Sequence, residues 1–258
     1  MMKKFFRTMG LAMLMAALCP AAVAAQDDVE ADVQLDLTSK NLWRGQDYGG
    51  PALQPRMEVR WQGLYVNAEG ATTFDRDDTS RMGLQLGYRA PFGLNVGVGT
   101  QWTSGIDPLN RFLFFDEKET GHRFEANLGY THRLFSLQAY TIFGGNDFKE
   151  EGDRAFSTYV ELQVPFRLGG LDWTATAAIT PMESGSWRET VVYDGSTERL
   201  KQYLYGDGFT CVQACLRATK NLNLNGFCLP VYVELNTNPY AEKASLMAGI
   251  SLRPFSKK

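Results

Sequence analysis

Residues 53–61 read Leu53-Gln54-Pro55-Arg56-Met57-Glu58-Val59-Arg60-Trp61. Every odd position is apolar and every even one is polar or charged. Successive side chains of a strand point to opposite faces, so this is a strand with one oily and one wet face. The same period extends in both directions. Val33, Leu35 and Leu37 oppose Gln34, Asp36 and Thr38, and Met82, Leu84, Leu86 and Tyr88 oppose Arg81, Gln85 and Arg89. Phe124, Ala126, Leu128 and Tyr130 oppose Arg123, Glu125 and Asn127. Phe156, Thr158, Val160, Leu162 and Val164 oppose Ser157, Tyr159, Glu161 and Gln163, and Leu171, Trp173, Ala175, Ala177 and Ile179 oppose Asp172, Thr174 and Thr176.

The pattern predicts about twelve strands, at 32–44, 52–61, 64–74, 79–89, 92–102, 122–132, 134–143, 154–165, 171–180, 208–219, 226–236 and 243–254. Most are near the roughly 9–11 residues that a tilted strand needs to cross a bilayer. Connections alternate in length. Gln62-Gly63, Ala90-Pro91, Arg133, 166–170 and 220–225 are short, whereas 45–51, 75–78, 103–121, 144–153 and 181–207 are mostly longer. Bacterial barrels pair short periplasmic turns with long external loops. The expected fold is therefore all-β, an antiparallel transmembrane β-barrel with both termini periplasmic. Eleven aromatics fall on the apolar parity: Trp61, Tyr88, Tyr130, Phe135 and Trp173 toward the short turns, and Trp43, Phe74, Trp102, Phe124, Phe143 and Phe156 toward the long loops. They read as two interfacial girdles.

Ahead of the strands, Lys3, Lys4 and Arg7 precede an apolar run from Gly10 to Leu18 and small residues at 22–25, the pattern of a signal peptide cleaved after Ala24 or Ala25. The expected organisation is 1–25 as signal peptide and 26–258 as one barrel domain. The mature chain keeps 23 of the 26 basic residues against 29 acidic ones, a net of −6, which speaks against a nucleic-acid partner. The alternative fold is a secreted soluble β-protein, with the apolar face turned inward and the charged face outward. Small apolar residues such as Ala175 and Ala177 suit a lipid-facing wall better than a wide apolar core.

Two passages carry a resemblance: Ser39-Lys40-Asn41-Leu42-Trp43-Arg44-Gly45, and Pro51-Ala52-Leu53-Gln54-Pro55 followed by Gly63-Leu64-Tyr65. Over residues 36–66 the chain resembles the TorF family putative porins, with the aromatic-x-Arg-Gly step, Pro-Ala-x-Gln and Gly-x-Tyr of their first hairpin. The resemblance implies a pore-forming outer-membrane barrel and no known substrate. At the other end Phe255 is out of phase by one with Leu246, Ala248, Ile250 and Leu252, and Ser256-Lys257-Lys258 extend past it, a departure from the usual aromatic terminus.

With the apolar face outward, the pore-lining candidates are Lys40, Arg56, Glu58, Arg60, Glu69, Arg81, Arg123, Glu125, Glu161, Arg217 and Glu234, with Arg89, Asp36 and Asp172 on the same face. Charges of both signs constrict a pore and tune its selectivity. The functional expectation is a narrow channel for small hydrophilic solutes, with a modest anion preference. Its alternative is a closed structural or docking barrel whose 181–207 loop, with Trp187, Tyr193, Tyr203 and Tyr205, binds a partner. Outer-membrane lipid and lipopolysaccharide are the expected surroundings, and the oligomeric state stays open.

No enzyme and no cofactor are expected: no nucleophile elbow, zinc motif or phosphate loop is present, and His132 with Ser136 is the sole local hint of a base and a hydroxyl. Asp75, Asp77 and Asp78, and Asp147, Glu150, Glu151 and Asp153, lack calcium-loop spacing and read as solvated loop charge. Cys211, Cys215 and Cys228 share the inward parity of two neighbouring strands. A turn centred between Asn221 and Leu222 puts Cys215 opposite Cys228, within disulfide reach; a midpoint slipped by two residues pairs Cys211 with Cys228 instead, and the alternative to both is three reduced thiols.

Overall fold

The computed structural model describes residues 29–74, 80–104, 111–193, 196–224 and 227–254. The signal-peptide region, the Asp75–Asp78 segment and the chain end at Phe255 lie outside them. Twelve strands close into one antiparallel barrel. In chain order the wall consists of β1 (Val29–Thr38), β4 (Ala52–Trp61), β5 (Leu64–Thr73), β6 (Arg81–Arg89), β7 (Leu94–Thr103), β8 (His122–His132), β9 (Phe135–Gly145), β10 (Thr158–Leu168), β11 (Leu171–Thr180), β14 (Thr210–Leu224), β15 (Phe227–Asn238) and β16 (Lys243–Leu252). Two small hairpins are inserted at the long-loop end: β2 (Leu42–Trp43) with β3 (Gln46–Asp47), and β12 (Ser186–Tyr193) with β13 (Ser196–Tyr203). β1 closes the barrel by pairing with β4 over its whole length, from Val29↔Trp61 to Thr38↔Ala52, and with β16 from Leu35↔Leu252 to Thr38↔Gly249.

The wall is apolar outside and polar inside. Leu84, Leu128 and Leu246 point outward and are 53%, 58% and 66% exposed, whereas the inward Glu125 and Glu234 are 5% and 4% exposed. A soluble barrel requires the opposite distribution, because its inner face is its hydrophobic core. The soluble alternative is thereby set aside. Outward aromatics lie toward both rims, with Phe166 and Trp173 stacked at the short-turn end and Phe74 and Phe143 exposed at the loop end. Trp43 departs from the expected girdle because its segment turns into the lumen. Phe156 precedes its strand, since β10 starts at Thr158 rather than 154.

Two bulges adjust the facing. Phe143 is the extra residue where β9 pairs with β8, and Val212 where β14 pairs with β11. An extra residue reverses the side-chain phase beyond it. Val212 is therefore buried in the lumen, and Cys211, paired with the outward Ile179, leaves the inward face expected for it. Inward, Ile142, Tyr159, Ala178, Leu204, Tyr205 and Val212 form a small apolar cluster that fills the loop end of the lumen on the β9–β14 side.

β14 and β15 also run farther than expected. They pair to Leu224↔Phe227, so the 220–225 turn of the sequence reading is mostly strand. Cys215 then faces Asn236 and Cys228 faces Asn223, and all three thiols are free. Of the alternatives for these cysteines the Cys215–Cys228 pairing fails in register, since moving the turn centre by four residues displaces each partner by eight, and three free thiols are found.

Candidate functional site in the lumen

The first long loop folds into the barrel. Its β2–β3 hairpin turns on Arg44 and Gly45, both with positive φ (48° and 74°), as a two-residue type I′ turn requires. Gly45 is needed twice over, for its φ and because a Cβ there would overlap the Val212 carbonyl oxygen. Asn238 Nδ2 donates to the Gly45 carbonyl at 3.3 Å, and the Gln46 side-chain amide donates to the Leu204 carbonyl. At the hairpin's root Lys40 Nζ lies 2.6 Å from Asp47 Oδ2, which also accepts from Ser245 Oγ at 3.2 Å. Partial burial opposes ionisation of Asp47, but Lys40, the Gly49 N–H and Ser245 outweigh it and hold the carboxyl below its usual range.

Arg44 is the tip of this plug. Its Nη1 and Nη2 donate to the two oxygens of Glu125 on β8 at 2.9 and 3.0 Å, a bidentate fork, and Nη1 also donates to Tyr205 Oη at 2.9 Å. The guanidinium lies 4.4 Å from the Trp43 ring and 4.2 Å from the Tyr140 ring, and both members of the ion pair are almost wholly buried. Arg81 lies 4.4 Å from the Trp43 ring as well and bonds Glu69 at 3.0 Å. The hairpin is thus pinned to β6, β8, β9 and β14 at once.

The last long loop meets it. Ser184 Oγ accepts the Tyr205 and Gly206 N–H groups at 2.9 and 3.1 Å, and the Leu204 N–H donates to the Gly185 carbonyl at 2.8 Å. Gly185 donates in turn to Ser157 Oγ, and Ser157 donates to the buried Asp147. Leu204 and Tyr205 are thereby turned inward. Of the aromatics expected as a docking surface Tyr205 is buried, while Trp187 is exposed on the β12–β13 hairpin.

No family model matches the chain, and no curated protein matches it. Among solved structures it is similar to a chain from a study entitled "Unveiling the Mechanism Behind the in-meso Crystallization of Membrane Proteins", at 9% identity and a TM-score of 0.48, covering 89% of this chain and 86% of that one. It is also similar to OmpF of Salmonella typhi, solved in complex with daunomycin, at 12% identity and a TM-score of 0.35, covering 87% and 97%.

A polar cavity of about 480 Å³ remains in the lumen beside the hairpin. Of the expected pore-lining residues, Arg56, Glu69, Glu125, Glu161, Arg217 and Glu234 line it. Arg81 faces inward just outside it, behind Glu69 and Trp43. Glu58 and Arg60 face inward nearer the short-turn end, with Arg89. Lys40 sits at the loop end and serves the hairpin instead, and Arg123 Nε donates to the Asn146 carbonyl at 3.0 Å. Arg217 Nε and Nη2 both reach Glu234 Oε2, at 2.7 and 2.6 Å, across β14 and β15. Glu161 accepts from Tyr159 Oη and Gln163 Nε2, both at 3.2 Å, and has no cation within ion-pair distance among the described residues. The sequence reading missed Arg44 and Tyr140 in this lining. The Arg44-Gly45 step between two strand-like runs was the available signal for a tight turn.

The other candidate chemistry is not assembled. Ser136 Oγ pairs with Thr131 and Gln138, whereas His132 Nδ1 accepts the Leu134 N–H. Asp147 belongs to the loop network, and no metal-binding group of acidic, His or Cys residues occurs among the described residues. His122 is buried on the outer face beneath Phe112 and Phe115 of the 104–121 loop.

Proposed function

We propose that this chain is an outer-membrane β-barrel that offers small hydrophilic solutes a narrow passage, constricted by its own first loop. The observation that carries the reading is the charged cavity of about 480 Å³ inside a closed barrel whose outer wall is apolar. An apolar wall with closed backbone hydrogen bonding is at home in a bilayer, and a wet, charged interior favours solutes that carry their own polarity. The short turns lie at the periplasmic side, the long loops outside, and lipid and lipopolysaccharide surround the wall. Export by the 1–25 segment and kinship with the TorF family putative porins belong to the same reading.

The matched charges at the plug support a tight passage rather than a wide pore. Arg44 and Glu125 neutralise each other where the hairpin crosses the lumen. Planar-bilayer recording of the folded protein tests the reading, with charged and neutral solutes of graded size. Stepwise conductance with a sharp size limit is expected. A silent barrel would instead favour the docking alternative, with the β12–β13 hairpin as its exposed surface.

A further inference from the structure

Six guanidinium groups of the lumen fall into two kinds. Arg44, Arg81 and Arg217 are matched one to one, with Glu125, Glu69 and Glu234. Arg56, Arg60 and Arg89 instead converge on the one buried carboxylate of Glu58. Glu58 Oε1 accepts from Arg60 Nε at 3.1 Å and from Arg89 Nη1 at 3.2 Å, and Glu58 Oε2 lies 3.9 Å from Arg56 Nη2. Arg60 also reaches Glu30 at 3.5 Å, but that carboxylate is largely open to solvent at the end of β1. Glu58 is buried, whereas the Arg56, Arg60 and Arg89 side chains are 53%, 37% and 36% exposed. The three arginines thus keep guanidinium edges accessible around one buried carboxylate, with Glu30 and Asp32 of β1 opposite Arg60 and Glu58, and Glu69 of β5 opposite Arg56.

The three groups are also held in place. Arg89 lies 5.0 Å from the Tyr65 ring. That ring lies over Gly87, where a Cβ would strike it, and its hydroxyl reaches Gly97. Arg56 spends its Nε on Asn67 Oδ1 at 3.2 Å, which directs its Nη groups toward the cavity it lines. A guanidinium has five N–H donors, and the acceptors named here take up only part of the three sets. Fixed forks with spare donors match the paired oxygens of a carboxylate or phosphate.

We propose that Arg56, Arg60 and Arg89, gathered on Glu58, form a binding station for a small oxyanion, a carboxylate or phosphate group, at the short-turn end of the lumen. The station's place on a permeation path rests on the channel reading above, whereas its binding of the anion does not. Glu58 is the built-in competitor. It screens the three cations when the station is empty and keeps the bound anion exchangeable, as conduction demands.

The test is titration of the folded protein in micelles with inorganic phosphate, followed by calorimetry. Saturable binding is expected for the native chain. Arg56→Gln and Arg89→Gln should each weaken it about tenfold or more, the loss expected for a charge-assisted donor group. Arg154→Gln, removing a cation that pairs with Glu117 at the long-loop rim, should leave it unchanged. Glu58→Gln should tighten it, since three cations then lack their common carboxylate; a purely structural salt-bridge network predicts no such gain. Non-saturable binding by the native chain, or equal affinity in Arg56→Gln and Arg154→Gln, overturns the station. Conductance on the same preparations separates the two readings. Phosphate binding in a silent barrel removes the channel and keeps the station; conductance without saturable binding does the reverse.

Discussion

Arg44 concentrates the cost and the use of the plug in one side chain. It sits in the left-handed region that a non-glycine residue rarely adopts, and it is buried as an ion. Both costs are offset by the Glu125 fork, Tyr205 and two aromatic faces. Removing one partner of such a pair leaves the other charge buried and unpaired, which costs about 3–5 kcal/mol. Arg44→Ala is therefore expected to free the hairpin from the lumen and raise single-channel conductance in planar bilayers, with the barrel itself still folded. Unchanged conductance in a conducting protein would place the hairpin off the path. Facing is tested at the same scale. Leu84 points outward and Gln85 inward, one residue apart on β6, with Gln85 bonded to Asn127 at 2.6 Å. A cation on the lipid side of the wall costs roughly 2–4 kcal/mol at the bilayer midplane. Leu84→Arg should thus lower the yield of heat-modifiable folded barrel on electrophoresis, and Gln85→Arg should leave it nearly native. Parity made this choice legible in the sequence, because period two fixes which residues share a face. It did not show which charges pair. Arg44 and Glu125 are 81 residues apart, and their meeting depends on a loop crossing the lumen.

At the scale of elements, the wall strands were legible and the inserted hairpins were not. β4, β8 and β11 run as the alternation predicts, because each is bounded by a turn that interrupts the pattern. Alternation through Leu42-Trp43 instead extended β1 past Thr38, although that segment leaves the wall and returns as β2 and β3. A two-residue hairpin continues the same period, so parity alone does not register the fold-back. The β14–β15 turn failed for a related reason. Lys220-Asn221-Leu222-Asn223 has loop-like composition, yet it is paired wall, from Lys220↔Val231 to Asn223↔Cys228. Polar residues are ordinary on an inward face, so composition misplaced the turn there. With the observed register, Cys211, Cys215 and Cys228 should all titrate as thiols in non-reducing denaturant, with no disulfide peptide linking any two of them by mass spectrometry. A linked Cys215–Cys228 peptide would mean that the hairpin has slipped by eight residues. The β2–β3 hairpin has its own test at Gly45. Gly45→Ala combines a disfavoured φ with overlap on the Val212 carbonyl. It should undock the tip as Arg44→Ala does, raising conductance without unfolding the wall.

For the whole molecule, the inverted distribution of polarity settles the inside and outside of the wall, and loop length sets up the question of which rim faces the cell exterior. Short turns close one rim at Gln62-Gly63, Arg133-Leu134 and Gly169-Gly170, while the plug, the β12–β13 hairpin and the 111–121 segment crowd the other. Outer-membrane barrels are built with their short turns in the periplasm. The native cysteines report on this orientation without disturbing the charged lumen. Cys228 is exposed near the short-turn rim, Cys215 lines the cavity, and Cys211 lies on the wall side of the Val212 bulge. A bulky, membrane-impermeant maleimide applied to intact cells should therefore leave Cys228 unmodified, and the same reagent should label it once the outer membrane is permeabilised. Thr197, exposed on the β12–β13 hairpin at the opposite rim, supplies the complement. Thr197→Cys should label on intact cells to the same extent as after permeabilisation. Labelling of Cys228 on intact cells with protection of Thr197→Cys would turn the barrel over. Recovery of the protein, fully labelled, in the soluble periplasmic fraction would remove it from the membrane altogether. The phosphate station would then have lost its path, though not its chemistry, because the shared Glu58 is a property of β4 and β6 whichever rim is outermost.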